Sequence, residues 1–496
     1  MTLLSRAASP AMLGVLLLSF VAAMAAAAPS LAPALGLVAL VAGSAFVVAF
    51  LTAPKVVVLG TWALVAFQQP LASIAGEGSS LSKAILRADE PILVAMLALT
   101  VLQWCLGHWR RPPQVLMVAS ALVVLAGVLS GWLQGAPLTV TAVGGVLLLK
   151  FFVVLLATLS LDWSADDVQR ATGGFIAFGL LVAAVGVVDR IAPDTVRSIL
   201  NNADARYVVD AGRAGSVRSI FPHPGRFAFA MALVFAVVCA RYFVFRRRVD
   251  LWLSIVFLVS TLMSLRVKGF LGVAGAMLVI VLVGETRLPN RVLRAMGVIL
   301  LVVLLGATVV RPVLERQVDA YVSSEGSVRG LLYRTSGEIA ADSFPLGEGF
   351  GRYGSYTSAE YYSPVYKEYG LHRIYGLQEE RSQYITDTSW PAILGETGVA
   401  GTIAYAVGLG ALVLALVRMR VSSAHGRFLR LAVLAALAAA GLDALANPTL
   451  FDSFGVLTVG IMVAMALRVA PSAPAPAVDG ARAKGVPFGS SVPSVR

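Results

Sequence analysis

Residues 386–401 read TDTSWPAILGETGVAG, and within this stretch a polar loop turns into an apolar segment. Asp387 and its hydroxyl-bearing neighbours come first, Trp390 follows, and the apolar run then continues to about residue 417. A run of about 20 apolar residues is long enough to cross the hydrocarbon core of a bilayer, and Trp is enriched at the membrane surface. The stretch therefore predicts a loop that ends near Asp387 and a membrane span over 391–417.

The rest of the chain repeats this alternation. It has 496 residues, of which 58% are hydrophobic and 13% are charged, with a mean hydropathy of +0.83. A soluble domain is typically about 45–50% apolar and about 25% charged. The sequence therefore predicts an all-α polytopic membrane protein with about 14 transmembrane helices. The spans are predicted near 8–27, 31–51, 55–73, 91–107, 114–134, 138–160, 171–189, 220–243, 250–265, 269–285, 295–310, 391–417, 429–446 and 452–468.

The net charge of +12 does not indicate a nucleic-acid partner, because the basic residues cluster in short loops between spans. Such clusters mark cytoplasmic loops beside anionic lipid. Alternation across the fourteen spans puts all four clusters on one face, so both termini are predicted to be cytoplasmic. The clusters are Arg110 and Arg111; Arg241, Arg246, Arg247 and Arg248; Arg287, Arg291 and Arg294; and Arg418, Arg420, Arg427 and Arg430.

The two ends of the chain carry features of their own. The first apolar run ends in small residues, as in a signal peptide, but another span follows at once, so we expect an uncleaved span at 8–27. The tail 469–496 is rich in Ala, Pro, Gly and Ser and is predicted to be disordered. Cys105 and Cys239 lie in apolar spans, which predicts no disulfide framework and no metal site.

The spans and loops divide the chain into five predicted parts, and two longer segments, 190–219 and 311–390, fall on the outer face. The parts are N-terminal transmembrane helices (1–189), transmembrane helices with an Arg-rich outer loop (190–310), a large extracytoplasmic loop domain (311–390), C-terminal transmembrane helices (391–468) and the cytoplasmic tail (469–496).

The large outer loop holds ten of the thirteen tyrosines. Tyrosine suits a membrane–water interface, and its ring also stacks on the C–H faces of sugars. An interfacial belt explains a few of them, and the number favours a structured domain with a polar, ring-shaped ligand. The ten are Tyr321, Tyr333, Tyr353, Tyr356, Tyr361, Tyr362, Tyr366, Tyr369, Tyr375 and Tyr384.

The smaller outer segment is rich in arginine, against the positive-inside tendency. Ion pairs with Asp189, Asp194, Asp204 and Asp210 explain Arg190 and Arg197, and Arg206 and Arg213 lie beside these acids. Arg218 and Arg226 flank SIFPHPG (219–225) with no acid nearby in sequence, and a guanidinium matches phosphate oxygens. His223 lies between them, either as a structural turn residue or as a candidate site residue.

More basic residues fall on the same face. Arg266 and Lys268, in SLRVKGFLG (264–272), lie at the mouths of two spans, where a charge either snorkels to the interface or serves a site. The span at 250–265 is short and either stands alone or forms a broken pair with the next one.

In the large loop, Arg329 and Arg334 belong to a predicted amphipathic helix that ends at Pro345. Its apolar positions are Leu332, Ile339 and Phe344. Four glycines then form a turn or an anion-binding loop: Gly347, Gly349, Gly351 and Gly354.

The order of these features resembles a known superfamily. An HPGR turn opens one span, SLR precedes another, an Arg-led helix leads to P-L-G-x-G-x-G, and W-x-x-I-L-x-E-x-G-x-x-G starts the span at 391–417. Over roughly 215–415 the chain resembles the bacterial O-antigen polymerase and ligase superfamily, of the Wzy and WaaL types. The ligases carry a His, then Asn, Ser or Gln, then nine residues, then G-x-x-G. Here Asp387 and Thr388 are followed by nine residues and by Gly398 and Gly401, so the spacing is kept and the His is replaced.

The resemblance implies a GT-C-like glycosyltransferase in the bacterial inner membrane that uses neither a nucleotide sugar nor a metal or other cofactor. Its donor is an undecaprenyl-pyrophosphate-linked glycan, its acceptor is a lipid-linked glycan, and its active face is periplasmic. It also implies contact with membrane lipid and a chain-length co-polymerase as a candidate partner. Arg218 or Arg226, Arg266 and Arg329 match the family's arginines, and with Lys268 and Arg334 they are the predicted pyrophosphate-binding residues. Asp387 is the predicted base, and Glu396, inside an apolar span, is the second candidate.

Four functions stay open at this point. The replacement of His by Asp387 favours a polymerase of O-antigen or exopolysaccharide over an O-antigen ligase that transfers glycan to lipid A–core. The number of predicted spans would suit a flippase or exporter. Such a transporter would be expected to show an internal sequence repeat, which is not evident here, and it would not need the large outer loop. An assembly scaffold is the fourth. Lys150 and Asp443, both inside spans, are predicted to pair with each other.

Overall fold

The structure, a computed structural model, describes residues 33–76, 79–200, 216–284, 296–297 and 328–469, with side chains from residue 43 onward except that of Arg197. Several predictions lie outside this part of the chain. They are the spans at 8–27 and, but for two residues, 295–310; the basic cluster at 287–294; Asp204, Arg206, Asp210 and Arg213; the loop start at 311–327 with Tyr321; and the tail from residue 470.

The described part is helical and contains no β-strand. Its first nine helices are α1 (Pro33–Thr52), α2 (Pro54–Ile74), α3 (Ser80–Arg87), α4 (Asp89–Cys105), α5 (Gln114–Leu133), α6 (Leu138–Leu148), α7 (Lys150–Leu159), α8 (Ala165–Ile191) and α9 (Pro193–Leu200). The others are α10 (Pro224–Phe245), α11 (Arg248–Met263), α12 (Val267–Gly284), α13 (Val328–Asp342), α14 (Tyr356–Glu360), α15 (Val365–Glu368), a 3₁₀ turn (Leu371–Arg373), α16 (Trp390–Arg418), α17 (Ala424–Asp443) and α18 (Ser453–Val469).

Seven of these helices are long and apolar enough to cross a membrane: α2, α5, α8, α10, α12, α16 and α17. The pair α6 and α7, bent by 55° at Leu149, is long and apolar enough only when taken together, as a broken span or a re-entrant loop. The chain is therefore a helical protein with several membrane spans. The bent helix pair is thus α6 and α7, whereas α11 and α12, which the sequence offered as a broken pair, are separate helices of 16 and 18 residues. The total of fourteen spans stays a prediction.

Helix α10 forms the centre of the bundle. It is the most buried of the seven spans and packs against α11, α12 and α17, while α5 packs against α16 and α7 against α18. Small residues at the contacts allow the backbones of these helices to approach one another closely. A side chain added at Gly269 of α12, for example, would lie 2.5 Å from Cβ of Ala228 on α10.

Contacts between helix ends define the two ends of the bundle. At one end, which we call the site end, Arg226 of α10 contacts Asp452 before α18, and Ser389 before α16 bonds the carbonyl of Asn447 after α17. At the other, which we call the arginine-rich end, Arg468 of α18 donates to the carbonyl of Leu159 at the end of α7. This end also includes Arg418 at the end of α16, Arg420 between α16 and α17, and Arg427 in the first turn of α17.

The described part of the large loop forms a compact helical domain, residues 328–389, which we call the loop domain. The predicted amphipathic helix is confirmed as α13, with Leu332 and Ile339 in the core. It ends at Asp342, before Pro345, so Phe344 lies beyond the helix and is 70% exposed rather than on its apolar face.

Seven of the nine tyrosines of the loop domain fall into two groups, and Tyr369 and Tyr384 are intermediate in burial. Tyr353 and Tyr366 are fully buried and stack with ring centroids 5.9 Å apart, and Tyr362 extends the stack at 5.4 Å. These rings form the core of the domain, so they serve folding and not a ligand. Four others expose over a third of their surface: Tyr333, Tyr356, Tyr361 and Tyr375.

A glycine-rich segment, residues 345–354, fastens the loop domain to the membrane helices; we call it the docking segment. The N–H groups of Glu348 and Gly349 donate to the carbonyls of Gly395 and Glu396, at 2.8 and 2.9 Å. Gly398 has φ +65° and interrupts α16 here, so the helix exposes carbonyls that the segment satisfies. The predicted glycine loop thus packs against a broken helix.

The predicted pairing of Lys150 with Asp443 is wrong. Lys150 is buried at the bend between α6 and α7, where its Nζ contacts Asp89 at 3.0 Å and the hydroxyl of Ser453 at 3.1 Å. Asp443 instead accepts hydrogen bonds from the side chains of Asn447, at 2.8 Å, and Thr449. A buried charge needs a partner close in space, and the helix arrangement that selects it is not readable from span order.

Candidate functional site

His223 lies at the centre of the site end, where it caps α10. Its Nδ1 accepts a hydrogen bond of 3.0 Å from the N–H of Gly225, so the neutral ring carries its proton on Nε2. Pro224 follows at the first helical position, which favours a helix start. Burial, aided by the charges of Arg266, Lys268, Arg226 and Arg218 in that order, lowers the pKa of His223 to about 2.

The same four basic residues therefore converge on one imidazole, although they come from different segments. A side chain built at Gly225 would lie 3.0 Å from Cε of Lys268 and 2.9 Å from Nδ1 of His223, so the lysine stem passes directly beside the ring. Lys268 is also within electrostatic range of Arg329, Asp387 and Arg266. We call Arg218, Arg226, Arg266, Lys268 and Arg329 the cation cluster.

Arg329 and Asp387 form the link between the cluster and the loop domain. Nη2 of Arg329 donates to Oδ2 of Asp387 at 2.8 Å, and each side chain is about 30% exposed. Arg329 lies near the start of the described part of α13, and Asp387 lies three residues before α16. The predicted base and a predicted pyrophosphate ligand are thus adjacent and open to solvent.

Arg226 faces the same region from α10. Its Nη2 lies 2.6 Å from Oδ1 of Asp452, and its side chain stays 46% exposed. Tyr356, which is 40% exposed, contacts Arg226 and lies within electrostatic range of Asp387. The hydroxyl of Tyr356 is therefore near both the predicted base and one of the cluster's arginines.

Arg218 is held through its backbone. The N–H groups of Arg218 and Ser219 donate to Oδ2 of buried Asp189 at 2.7 and 3.0 Å. Ser219 has φ +56°, a strained value for a residue other than glycine, and its hydroxyl bonds the carbonyl of Val182. Asp189 at the end of α8 therefore fixes the turn that carries Arg218.

The short loop 444–452 between α17 and α18 joins these groups, and sequence reasoning missed it. The side chain of Asn447 accepts from Lys268 and donates to Asp443. Tyr333 of α13 donates to the carbonyl of Leu445 at 3.0 Å, and Asp452 pairs with Arg226. An Asp directly before an apolar span and an Asn-Pro turn are the only sequence signals for this loop, and both are common.

Two predicted site residues lie apart from the cluster. Arg334 pairs with Glu338 on its own helix at 3.0 Å and is 78% exposed, and no contact in the described part of the chain links it to the cluster. Glu396 is fully buried in α16 and faces the N–H groups of Gly351, Arg352 and Tyr353 and the hydroxyl of Ser355. Its surroundings are those of an anchor for the docking segment.

Among the residues that the structure describes, the acids near the five members of the cation cluster are Asp189, Asp387, Asp443 and Asp452, so basic side chains outnumber acidic ones in this part of the chain. Two members also lie in the first turn of a helix, Arg226 in α10 and Lys268 in α12. A helix N-terminus carries a partial positive charge, so a cation there costs about 0.3–1 kcal/mol. The arrangement is one that an anion would stabilise.

Comparison with protein-family models, with curated proteins and with solved structures finds no match for this chain.

Proposed function

We propose that the chain is a membrane-embedded glycosyltransferase of the polysaccharide-polymerase type. It transfers a glycan from a polyprenyl-pyrophosphate donor to a sugar hydroxyl of a lipid-linked acceptor, at the face of the membrane opposite the arginine-rich loops. The observation that carries the proposal is the convergence of the cation cluster beside the Arg329–Asp387 pair, at the mouth of the bundle. The GT-C-like architecture and fourteen spans are part of this proposal.

The cation cluster suits the leaving group. In the reaction the bond between the anomeric carbon and a pyrophosphate oxygen breaks, and the negative charge grows on the departing lipid pyrophosphate. Arginine forks bind such oxygens through charge-assisted hydrogen bonds, and prepositioned donors stabilise charge as it develops. The neutral ring of His223 carries its proton on Nε2, and this N–H group can donate a hydrogen bond among these cations without adding a charge.

Asp387 suits the acceptor. A sugar hydroxyl that attacks the anomeric carbon loses its proton, and a carboxylate at the solvent-exposed edge of the cluster can receive that proton or orient the hydroxyl. Arg329, at 2.8 Å, fixes the carboxylate, and exposed Tyr356 and Tyr333 offer rings for sugar stacking next to it. Donor phosphate and acceptor sugar thereby occupy neighbouring positions.

The test is reconstitution of the purified chain in liposomes with a lipid-pyrophosphate-linked repeat unit as the sole substrate, without nucleotide sugar, lipid A–core or added metal. A ladder of products establishes a polymerase. We expect Asp387→Ala to lower the rate at least about 100-fold, the scale of a lost general base. Asp342→Ala is the matched control, because Asp342 is a carboxylate of the same domain that bonds Tyr369 and lies outside the cluster.

Other outcomes overturn parts of the proposal. Transfer that appears only after addition of lipid A–core identifies a ligase. Movement of the intact donor across the bilayer without transfer identifies an exporter. A ladder that survives in Asp387→Ala removes Asp387 from the chemistry and leaves the polymerase assignment standing.

A further inference from the structure

The arginine-rich end of the bundle contains a cavity of about 790 Å³, at the opposite end of the spans from the cation cluster. Four helix ends surround it: the start of α5 and the ends of α7, α16 and α18. Its volume falls within the range of about 300–1,000 Å³ that is usual for small-molecule sites. None of its lining residues belongs to the proposed glycosyltransferase site.

The walls of this cavity are mainly apolar. Met117 and Val118 of α5 form one side, and Ala415 of α16 with Leu467 of α18 form another. Val118 is 57% exposed in a helix long and apolar enough to span a membrane, so this side of the cavity opens towards the lipid. Such walls suit hydrocarbon chains and do not suit a free polar metabolite.

Two arginines mark the polar part of the cavity. Arg468 is partly buried, and its Nε donates to the carbonyl of Leu159 at 2.7 Å, with Nη2 on the same oxygen. These bonds use two of the five N–H donors of the guanidinium, so it retains donors for a second partner. Arg111 is exposed at the mouth. The charges of Arg110 and Asp162, which pair with each other at 3.5 Å, also act on Arg468 with opposite sign, so Arg111 and Arg468 determine the net charge of the cavity. The local charge is therefore positive.

The start of α5 adds to this positive charge. The helix has 20 residues and begins at Gln114, directly after Pro112 and Pro113, and no side chain caps it. The N-terminus of such a helix carries a partial positive charge and exposes N–H groups, which together favour a phosphate group. Gln114 and Pro113 line the cavity, so this end of the helix lies at its wall.

We propose that this cavity binds an anionic diacyl phospholipid. The phosphate contacts Arg111, Arg468 and the start of α5, and the acyl chains follow the apolar walls formed by Met117 and Leu467. The neighbouring loops carry further arginines, as expected for the leaflet that contains anionic lipid. Residues 470–496 begin two positions after Arg468, but they contain three basic residues and one acidic residue, so their charge opposes occupation of this cavity by the tail.

The experiment is native mass spectrometry of the full chain in a neutral detergent, with dioleoylphosphatidylglycerol and dioleoylphosphatidylcholine added in equal amounts. We expect one phosphatidylglycerol to be retained preferentially. Arg111→Gln should lower its retention about tenfold, the equivalent of one lost charge-assisted hydrogen bond. Arg468→Gln should lower it at least as much. Arg420→Gln is the control, because Arg420 is exposed at the same end and outside the cavity.

Arg468 also donates to a carbonyl of α7, so loss of lipid binding in Arg468→Gln alone could result from altered helix packing. Arg111 is exposed at the mouth, and Arg111→Gln is therefore the decisive variant. Equal retention of the two lipids, or unchanged retention in Arg111→Gln, overturns the proposal. Competition by millimolar inorganic phosphate to the same extent as by lipid shows a phosphate site without lipid selectivity. A tenfold gain of retention after removal of residues 470–496 shows that the tail is the occupant. The phosphate competition and the gain on removal of the tail would each overturn the proposal of a phospholipid site.

Discussion

His223 is surrounded by positive charge and yet caps a helix through Nδ1, and both facts favour its neutral form. Its pKa of about 2 lies far below the value of about 6.5 for a free histidine. Between these values the unfolded chain binds a proton that the folded chain does not. Acid therefore favours unfolding in this window, and the full stability is present above pH 6.5.

The first prediction concerns this pH dependence. Asn accepts a hydrogen bond at an N-cap as His223 does and does not titrate. In detergent, the Tm of the wild-type chain should fall more between pH 7.5 and 4.5 than the Tm of His223→Asn. The comparison is made within each variant, so a uniform loss of stability does not affect it. Equal decreases in the two proteins would show that His223 is already charged or exposed in the folded state.

The second prediction compares two arginines of α13. Arg329→Gln removes a member of the cation cluster, so the transfer rate should fall about 100-fold, as expected for a lost donor to a developing anion. Arg334→Gln, one turn further on, removes an exposed ion pair within the helix and should keep both rate and stability. The readout is the product ladder with purified protein, with Tm as the folding control. Similar rates for the two variants would place the donor phosphate elsewhere.

Residue by residue, the sequence identified much of the cluster. Arginines are unusual in segments predicted to lie on the outer face, because they oppose the positive-inside tendency. Arg218, Arg226, Arg266, Lys268, Arg329 and Asp387 lie near one another in the structure, and their roles in binding pyrophosphate and in proton transfer stay predictions. The acids that hold them were not identified: Asp452 and Asp189 are distant in sequence from their partners. Pairing across a bundle depends on helix order in space, which no local pattern encodes.

Among the structural elements, α16 shows the sharpest departure from regular geometry. Gly398 has φ +65°, and a Cβ there would lie 2.1 Å from the carbonyl carbon of Leu346. Both the backbone conformation and the close approach therefore require glycine. A span with several glycines gives no sign of which one breaks the helix, so the sequence predicted a continuous span at 391–417.

The third prediction tests this break. Gly398→Ala should displace the docking segment, so that limited proteolysis cuts within residues 328–389 at least several times faster than in the wild type. Gly410→Ala lies in the same helix, where a Cβ has open space, and should leave the cleavage rate unchanged. The folded state is checked by size-exclusion chromatography. Equal cleavage of the two variants would mean that the loop domain is held by other contacts.

The fourth prediction separates two roles of Glu396. Glu396→Gln retains an acceptor oxygen for the N–H group of Tyr353 but no basic group, so an anchoring role predicts transfer activity within about threefold of the wild type. Glu396→Ala should release the docking segment and accelerate proteolysis. A loss of about 100-fold in Glu396→Gln, with unchanged proteolysis, would instead restore Glu396 as the catalytic base.

For the whole molecule, hydropathy predicts the class and most of the helices, because apolar length is a local property. The seven long apolar helices and the bent pair α6 and α7 coincide with predicted segments. The bend at Leu149 and the buried Lys150–Asp89 pair beside it depend on contacts between α4, α7 and α18, so they could not be read from the sequence. The loop domain was predicted as a unit, but its tyrosines were assigned to a ligand when three of them form its core.

The fifth prediction concerns orientation. In a Cys105→Ser, Cys239→Ser background, Tyr375→Cys on the exposed surface of the loop domain should react with a membrane-impermeant maleimide in intact spheroplasts. Arg420→Cys should react only after permeabilisation. The reverse pattern would place the cation cluster on the cytoplasmic side and contradict a donor used at the outer face.

The docking segment limits which parts of this protein can be exchanged with those of a homologue. Its main-chain bonds complete the interrupted turn of α16, and Phe350 inserts where Gly127 of α5 and Gly145 of α6 leave room for its ring. The loop domain and the membrane helices are thus packed into each other and are not separable modules. A chimera that exchanges residues 328–389 between distant homologues should fail to assemble unless α5, α6 and α16 come from the same parent.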